Sequence, residues 1–145
     1  MRIRETRTED FAAVQALYLH LHETEPLGET EQARTLWQRL VQDPDYHILV
    51  GEQDGRLVSS VTLVVIPNLT RGMRPYALIE NVVTDAAYRG RGCASALMGE
   101  AVRLARLAGC YKAMLLTCSK KPETLRFYER CGFNARDKTA FIRWL

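Results

Sequence analysis

The chain has 145 residues, room for one domain over 1–145 and little prospect of a second independent core. With 47% hydrophobic and 26% charged residues it has the composition of an ordinary globular protein. No apolar run nears the roughly 20 residues of a membrane span, and the polar stretch Met1–Asp10 lacks the apolar core of a signal peptide, so a cytoplasmic, membrane-free protein is expected. The net charge of +3 is uneven: residues 1–55 carry five arginines against eleven carboxylates, and residues 56–145 carry fifteen basic side chains against six acidic ones. A basic second half suits a phosphate-rich small molecule. Nucleic acid is not expected as a partner, because the basic residues are dispersed and do not alternate with aromatics.

In chain order, Ile3–Arg7 reads as a short strand. Thr8 then stands where a helix cap belongs, followed by Phe11, Val14, Leu17, Tyr18 and Leu21 at helical spacing. Glu23–Glu29 breaks this helix, and Glu31–Gln42 forms a second, with Leu36, Trp37 and Leu40 on one side. Three strands follow: His47–Glu52, then Leu57–Ile66 after the hairpin signal Gln53-Asp54-Gly55, then Tyr76–Thr84 after a basic loop over Pro67–Pro75. The strongest helix carries Ala94, Leu97, Met98, Ala101, Leu104, Ala105 and Ala108, with Gly109 as its stop. Lys112–Cys118 is a fifth strand, parallel to Tyr76–Thr84 because a helix connects them. Pro122 opens a helix to about Cys131, and Thr139–Leu145 is expected to close the sheet as a final strand. The order β-α-α-β-β-β-α-β-α-β makes an α+β domain with a mixed central sheet.

The four cysteines, at 93, 110, 118 and 131, contain no CxxC pair and lie far from His20, His22 and His47. No metal is expected, and thiols buried or partly buried in the fold are the plainer reading. His20 and His22 fall on opposite sides of their helix, which argues against a shared metal; solvated histidines or a part in acceptor binding remain as readings.

The stretch Arg89-Gly90-Arg91-Gly92-Cys93-Ala94 joins a strand to the strongest helix. Glycines there let the backbone approach a ligand, and a helix N-terminus offers free N–H groups and a partial positive charge. The pair suits phosphate oxygens; a plain turn is the alternative. A mononucleotide loop would need Gly-Lys-Ser/Thr, which is absent, and the dinucleotide fingerprint would need a third glycine where Ser95 stands.

At these residues the chain resembles the GNAT superfamily of N-acetyltransferases. Arg89, Gly92 and Ala94 match its Q/R-x-x-G-x-G/A motif, after the strand Ile79-Glu80-Asn81-Val82-Val83-Thr84. Phe127-Tyr128-Glu129-Arg130-Cys131-Gly132-Phe133 resembles the family's helix with a Tyr before Gly-Phe, and the element order agrees along nearly the whole chain. One departure is Lys121, where many members carry Asn.

The resemblance implies a GNAT-like fold and acetyl transfer from acetyl-CoA, used as co-substrate without a metal, to a primary amine. It implies that Arg89, Gly90, Arg91, Gly92, Cys93 and Ala94 hold the pyrophosphate, and that main-chain groups of Val82 and Val83 pair with the pantetheine arm. Arg89, Arg91 and Lys121 are candidates to meet the adenosine phosphates. The resemblance also implies Tyr128 as general acid toward the departing thiolate. Glu80, a carboxylate within an apolar strand run, is the candidate base; an edge or hydrogen-bonding structural Glu is the plainer reading. Strict alternation would set Leu78, Glu80 and Val82 on one face and Ile79, Asn81 and Val83 on the other.

A small-molecule amine is the expected acceptor, with a protein N-terminus or lysine, or a non-catalytic acetyl-CoA-binding regulatory role, as alternatives. Glu23, Glu25, Glu29 and Glu31, in the segment that the resemblance sets beside the acceptor pocket, suggest a cationic or polyamine-like acceptor, with a solvated acidic surface as the plainer reading, whereas Arg71 and Arg74 would suit an anionic one. The family habit implies a homodimer.

Overall fold

The computed structural model describes residues 1–21 and 28–145. Five strands form one sheet in the order β1-β2-β3-β4-β5: β1 (Arg2–Glu5), β2 (Tyr46–Gln53), β3 (Arg56–Ile66), β4 (Tyr76–Thr84) and β5 (Ala113–Leu115). The first three pairings are antiparallel and β4–β5 is parallel. The long helix α4 (Cys93–Leu107) makes the crossover between them. A mixed sheet in an α+β domain is therefore what the chain builds.

Alternation along β2 and β3 divides the sheet into two apolar faces. Leu49, Val61, Leu63, Ala77 and Ile79 meet Leu97, Met98, Ala101 and Ala105 of α4 in the larger core. Ile48 and Val50 face the other way. They meet Val14 of α1 (Phe11–Tyr18) and Trp37 of α2 (Glu31–Gln42). Trp37 is buried, and its indole N–H donates to the Thr8 carbonyl at 2.9 Å. Leu36, expected beside it, is 45% exposed, because only one stripe of α2 reaches the sheet. The helix α5 (Pro122–Arg130) packs Phe127 and Tyr128 against the larger core.

The β2–β3 hairpin turns as its sequence signals. Gln53 pairs with Arg56 across Asp54 and Gly55, both with positive φ (51° and 74°). The basic loop before β4 contains one helical turn, α3 (Thr70–Met73), with left-handed residues inside it. Arg74 donates from there to the Gly109 and Cys110 carbonyls at 3.2 Å each, past the C-terminal end of α4.

Three sequence expectations need correction. The final strand does not form: Thr139–Leu145 pairs with no strand among the described residues, and Phe141, Ile142, Trp144 and Leu145 are exposed. Strand-forming side chains make no strand without a ladder partner. β5 is three residues long rather than seven, since its pairing stops at Leu115↔Ile79. The start of α1 is fixed by Asp10 rather than Thr8. The Asp10 carboxylate accepts the Arg7 N–H at 2.7 Å, after a 3-10 turn over Thr8–Asp10.

Asp10 also receives both terminal nitrogens of Arg4, at 2.6 and 2.9 Å, and Arg4 Nε donates to Glu52 at 2.8 Å. This triad ties α1 to the β1–β2 edge. The Arg4 guanidinium holds the Asp10 carboxyl below its ordinary range. The side chains of Arg4 and Asp10 are only 15% and 10% exposed, so removing one partner strands a mostly buried charge. Asp10→Ala is expected to lower unfolding free energy by about 3 kcal/mol at pH 7, the low end for a buried pair. A depressed folded-state pKa contributes stability above the unfolded carboxylate value of about 4, and that contribution is lost as pH falls through the folded value. Urea titrations should therefore show the gap between wild type and variant shrinking from pH 7 to pH 3. A gap independent of pH would mean that the ionised pair is not its source.

Candidate active site

The middle of β4 is where the sheet departs from regularity. Thr62 pairs with Glu80, but Ser60 pairs with Val83, so Asn81 and Val82 together oppose the single residue Val61. Asn81 takes φ 51°, a left-handed conformation that Asn tolerates better than most residues. This is a β-bulge, and it resets the alternation. Glu80 lies on the Thr62 side, facing α1. Val83, opposite Ser60, lies on that same side, whereas Val82 packs into the α4 core. The regular alternation expected for these residues is thus wrong beyond Glu80, because the bulge inserts one residue.

The bulge also ends the pairing with β5. The β4–β5 ladder runs from Ala77↔Ala113 to Ile79↔Leu115 and stops, so the β5-facing edge of residues 80–84 has no strand partner among the described residues. Parallel strands that part here leave an edge whose main-chain groups require a partner. Ser59 holds the other side of the bulge. Its hydroxyl donates to the Val83 carbonyl at 2.7 Å and shares a bond with Thr84 Oγ1 at 2.8 Å.

Tyr128 comes from α5 and is half-buried, its ring edge-on to Phe127 at 4.9 Å between centroids. Burial, then the neighbouring Cys131, Glu80 and Cys118, push its phenol above the ordinary value. Burial also raises the Glu80 carboxyl. Tyr46 is raised by burial and by the nearby Tyr18 and Glu80. Glu80 and Tyr128, far apart in sequence, therefore lie close enough to influence each other at the point where β4 and β5 separate.

The glycine loop lies past the end of β4. Asp85 caps a short 3-10 turn (Ala86–Tyr88) by accepting the Ala87 N–H at 2.8 Å, and the chain then turns into α4. Gly90 and Gly92 adopt φ 73° and 79°, where a side chain would be strained, and no atom lies within 4 Å of where their Cβ would be. Gly92 is the N-cap of α4 and supplies no side chain to the first-turn N–H groups. Those donors, at the positive end of a four-turn helix, fit an anion. Cys93 is buried and Ala94 half-buried, with the Cys93 thiol 3.8 Å from the Tyr88 carbonyl. Arg89 bonds back to the Thr84 carbonyl at 3.2 Å, and Arg91 stacks 5.3 Å from the centre of the Tyr88 ring. Both stand exposed, as does Lys121 at the N-cap of α5.

Other expected residues lie elsewhere. His20 is exposed just past α1, and among the described residues no three His, Cys, Asp or Glu side chains group as a metal site would require. His22, Glu23 and Glu25 lie outside the described residues. Glu29 forms an ion pair with Arg34, which offsets its charge. Arg71 stacks on Tyr111 and Arg74 is held by carbonyls beyond α4, at the opposite end of β4 from the glycine loop. The sequence reading did not single out Tyr46, Ser60, Thr62 or Asn81. Their signal was the polar set Ser59, Ser60 and Thr62 inside a valine-rich strand.

Comparison with known proteins agrees with this geometry. The family model described as Acetyltransferase (GNAT) family matches residues 11–133. A Trypanosoma brucei brucei protein named glucosamine 6-phosphate N-acetyltransferase is 33% identical over 138 residues, covering 95% of this chain and 92% of that protein. A solved structure from Agrobacterium tumefaciens, provisionally named an acetyltransferase, has a TM-score of 0.91 at 38% identity and covers 99% of this chain and 100% of its own. A glucosamine-6-phosphate N-acetyltransferase from Arabidopsis thaliana has a TM-score of 0.86 over 99% of this chain and 97% of its own; at 23% identity, that likeness speaks to the fold alone. The chain belongs to the GNAT acetyltransferase family, and its chemistry is acetyl-CoA-dependent N-acetylation of an amine.

Proposed function

We propose that this protein acetylates the amine of a small molecule, with a phosphorylated amino sugar such as glucosamine 6-phosphate as the first acceptor to test. The observation that carries the reading is the parting of β4 and β5 beside Glu80 and Tyr128, one opening that offers main-chain groups, a carboxylate and a phenol. The choice of acceptor rests on the name of the 33%-identical relative, which aligns over nearly its whole length. The pairing of Glu29 with Arg34 weakens the case for a cationic acceptor.

Acetyl-CoA supplies the activated acyl group. The amides of Val82 and Val83, on the open edge of β4, hold the pantetheine arm as a strand would, and one of them faces the charge that develops on the carbonyl oxygen. Glu80 takes the proton from the amine, directly or through water; its raised pKa makes it a better proton acceptor than an exposed carboxylate. Tyr128 gives a proton to the departing thiolate, whose own pKa of about 8.5 leaves the transfer accessible to a phenol. The loop Arg89, Gly90, Arg91, Gly92, Cys93 and Ala94 holds the pyrophosphate through main-chain N–H groups, and Arg89, Arg91 and Lys121 stand exposed for the adenosine phosphates.

We further infer a homodimer. The tail presents Phe141 at 92% and Trp144 at 89% exposure, large apolar surfaces that a second copy would cover. Light scattering is expected to give twice the 16.5 kDa chain mass at working concentration; the monomer mass would reject the dimer.

An amine panel read by thiol release tests the function. Amino sugar phosphates are expected to turn over best; if only peptides or polyamines react, the acceptor assignment fails while acetyl transfer stands. With the best acceptor, Tyr128→Phe is expected to lower turnover about 10²–10⁴-fold, or roughly 2.7–5.4 kcal/mol of barrier. Acetyl-CoA affinity should stay near native, and unchanged turnover under chemistry-limited conditions would remove Tyr128 from the acid role. Gly92→Ala forces a side chain into a left-handed N-cap, a strain of about 1–2 kcal/mol, and should weaken acetyl-CoA binding about tenfold by calorimetry. Native affinity in the folded variant would place the pyrophosphate elsewhere.

A further inference from the structure

The α1-facing side of the bulge contains a polar cluster that the roles above leave unused. Ser60 and Thr62 are 0% exposed, and among the described residues Ser60 Oγ and Thr62 Oγ1 complete no hydrogen bond of good geometry. Orphaned hydroxyls are rare in a packed interior, and each is expected to have a partner within reach. Both project from β3 toward α1, with Glu80 across the ladder from Thr62 and Val83 across from Ser60. Over them lies Tyr18, the last residue of α1, packed against the cluster that contains Ile48 and Val50, the cross-strand partners of Thr62 and Ser60. Burial raises its phenol, while the surrounding side chains of Thr62, Asn81 and Ser60 act in the opposite direction. One phenol can donate one hydrogen bond and accept two, so it can serve all three neighbours.

Asn81 is the residue whose left-handed backbone makes the bulge. Such a conformation persists only where the surroundings hold it. On the α4 side the bulge is held by Ser59, through closed hydrogen bonds to Val83 and Thr84. On the α1 side the polar group common to Asn81 and the two orphaned hydroxyls is Tyr18.

We propose that Tyr18 is a positioning residue for acetyl transfer: its hydroxyl, shared among Ser60, Thr62 and Asn81, holds the β4 bulge so that the Val82 and Val83 amides face the thioester. This rests on the role given above to those amides. Tyr18 acts through Asn81 and need not touch either substrate.

A double-mutant cycle tests the coupling. Tyr18→Phe keeps the ring that packs near Val14 and Trp37 and removes only the hydroxyl. Asn81→Gly keeps a residue at ease with positive φ and removes the side chain that Tyr18 would hold. Each single variant is expected to lower both kcat and acetyl-CoA affinity about three- to tenfold, with acceptor KM within twofold of native. The double variant should be no worse than Asn81→Gly alone, because nothing remains for Tyr18 to hold. A structural role for Tyr18 would lower the melting temperature without this non-additivity. Native kcat in Tyr18→Phe, or losses that multiply, would overturn the proposal. A raised acceptor KM with kcat intact would also overturn it, by making Tyr18 an acceptor contact. If Tyr18→Phe fails to fold by circular dichroism, Thr62→Val, equal in shape, replaces it in the cycle with the same expectation. If wild type acetylates no amine on the panel, the acceptor reading has failed separately. The cycle is then read by calorimetry on acetyl-CoA alone, where the non-additive three- to tenfold weakening must still appear.

Discussion

Between Thr62↔Glu80 and Ser60↔Val83 the register of β4 against β3 slips by one residue, and the site is organised around that slip. A bulge twists its strand and reverses which face the following residues occupy. Glu80 stays toward α1, Val83 joins it there, and Val82 turns into the α4 core. The same irregularity coincides with the end of the β5 ladder at Ile79, so β4 emerges from the bulge with one edge paired to β3 and the other open. An open edge inside a sheet is costly unless something pairs with it. In an acetyl-CoA-dependent enzyme the extended pantetheine arm is chemically suited to do so.

The rest of the molecule fixes the surroundings of that opening. The larger core pins α4 against β2, β3 and β4, which sets the helix N-terminus and its glycine loop past the end of β4. α5 is held from the same side, by Phe127 and Tyr128 against the core. On the opposite face, Arg4, Asp10 and Glu52 anchor the start of α1 while Val14 and Trp37 pack its middle. Tyr18 is therefore brought over Ser60 and Thr62 by interactions at the far end of its helix. Glu80 and Tyr128 come from separate elements, β4 and α5, and the carboxylate lies near enough to act on the phenol.

Much of this was legible in the chain itself. The repeat of small and aliphatic residues from Ala94 to Ala108 specifies a helix with one apolar stripe, and the core it enters needs just such a stripe. Asp54-Gly55 specifies a two-residue turn by its tolerance of positive φ, and that turn sets the pairing of Gln53 with Arg56 and of Glu52 with Leu57, before a register shift at Gly51. Gly90 and Gly92 mark a backbone that side chains would strain, in front of helical donors left uncapped. Glu80 and Tyr128 could be singled out because each is out of keeping with its neighbours, a carboxylate among valines and a tyrosine before Gly132-Phe133.

Other features depended on partners distant in sequence. Alternation assigns faces only while the register holds, and the slip at Asn81 follows from how β4 meets β3, so Val82 and Val83 could not be assigned from spacing. β5 has the side chains of a longer strand, but its length was set by where β4 turns away. Thr139–Leu145 has strand-forming residues but pairs with no strand among the described residues, so it forms none. Thr8 has the chemistry of a cap, yet it lies inside a 3-10 turn, and Asp10 behind it takes the Arg7 N–H and the Arg4 guanidinium. Local chemistry in the sequence was enough to specify the helices, the tight turn, the glycine loop before α4 and the family. Register, edge pairing and the approach of Glu80 to Tyr128 were decided by tertiary structure, because each is a relation between strands and helices that no single segment contains.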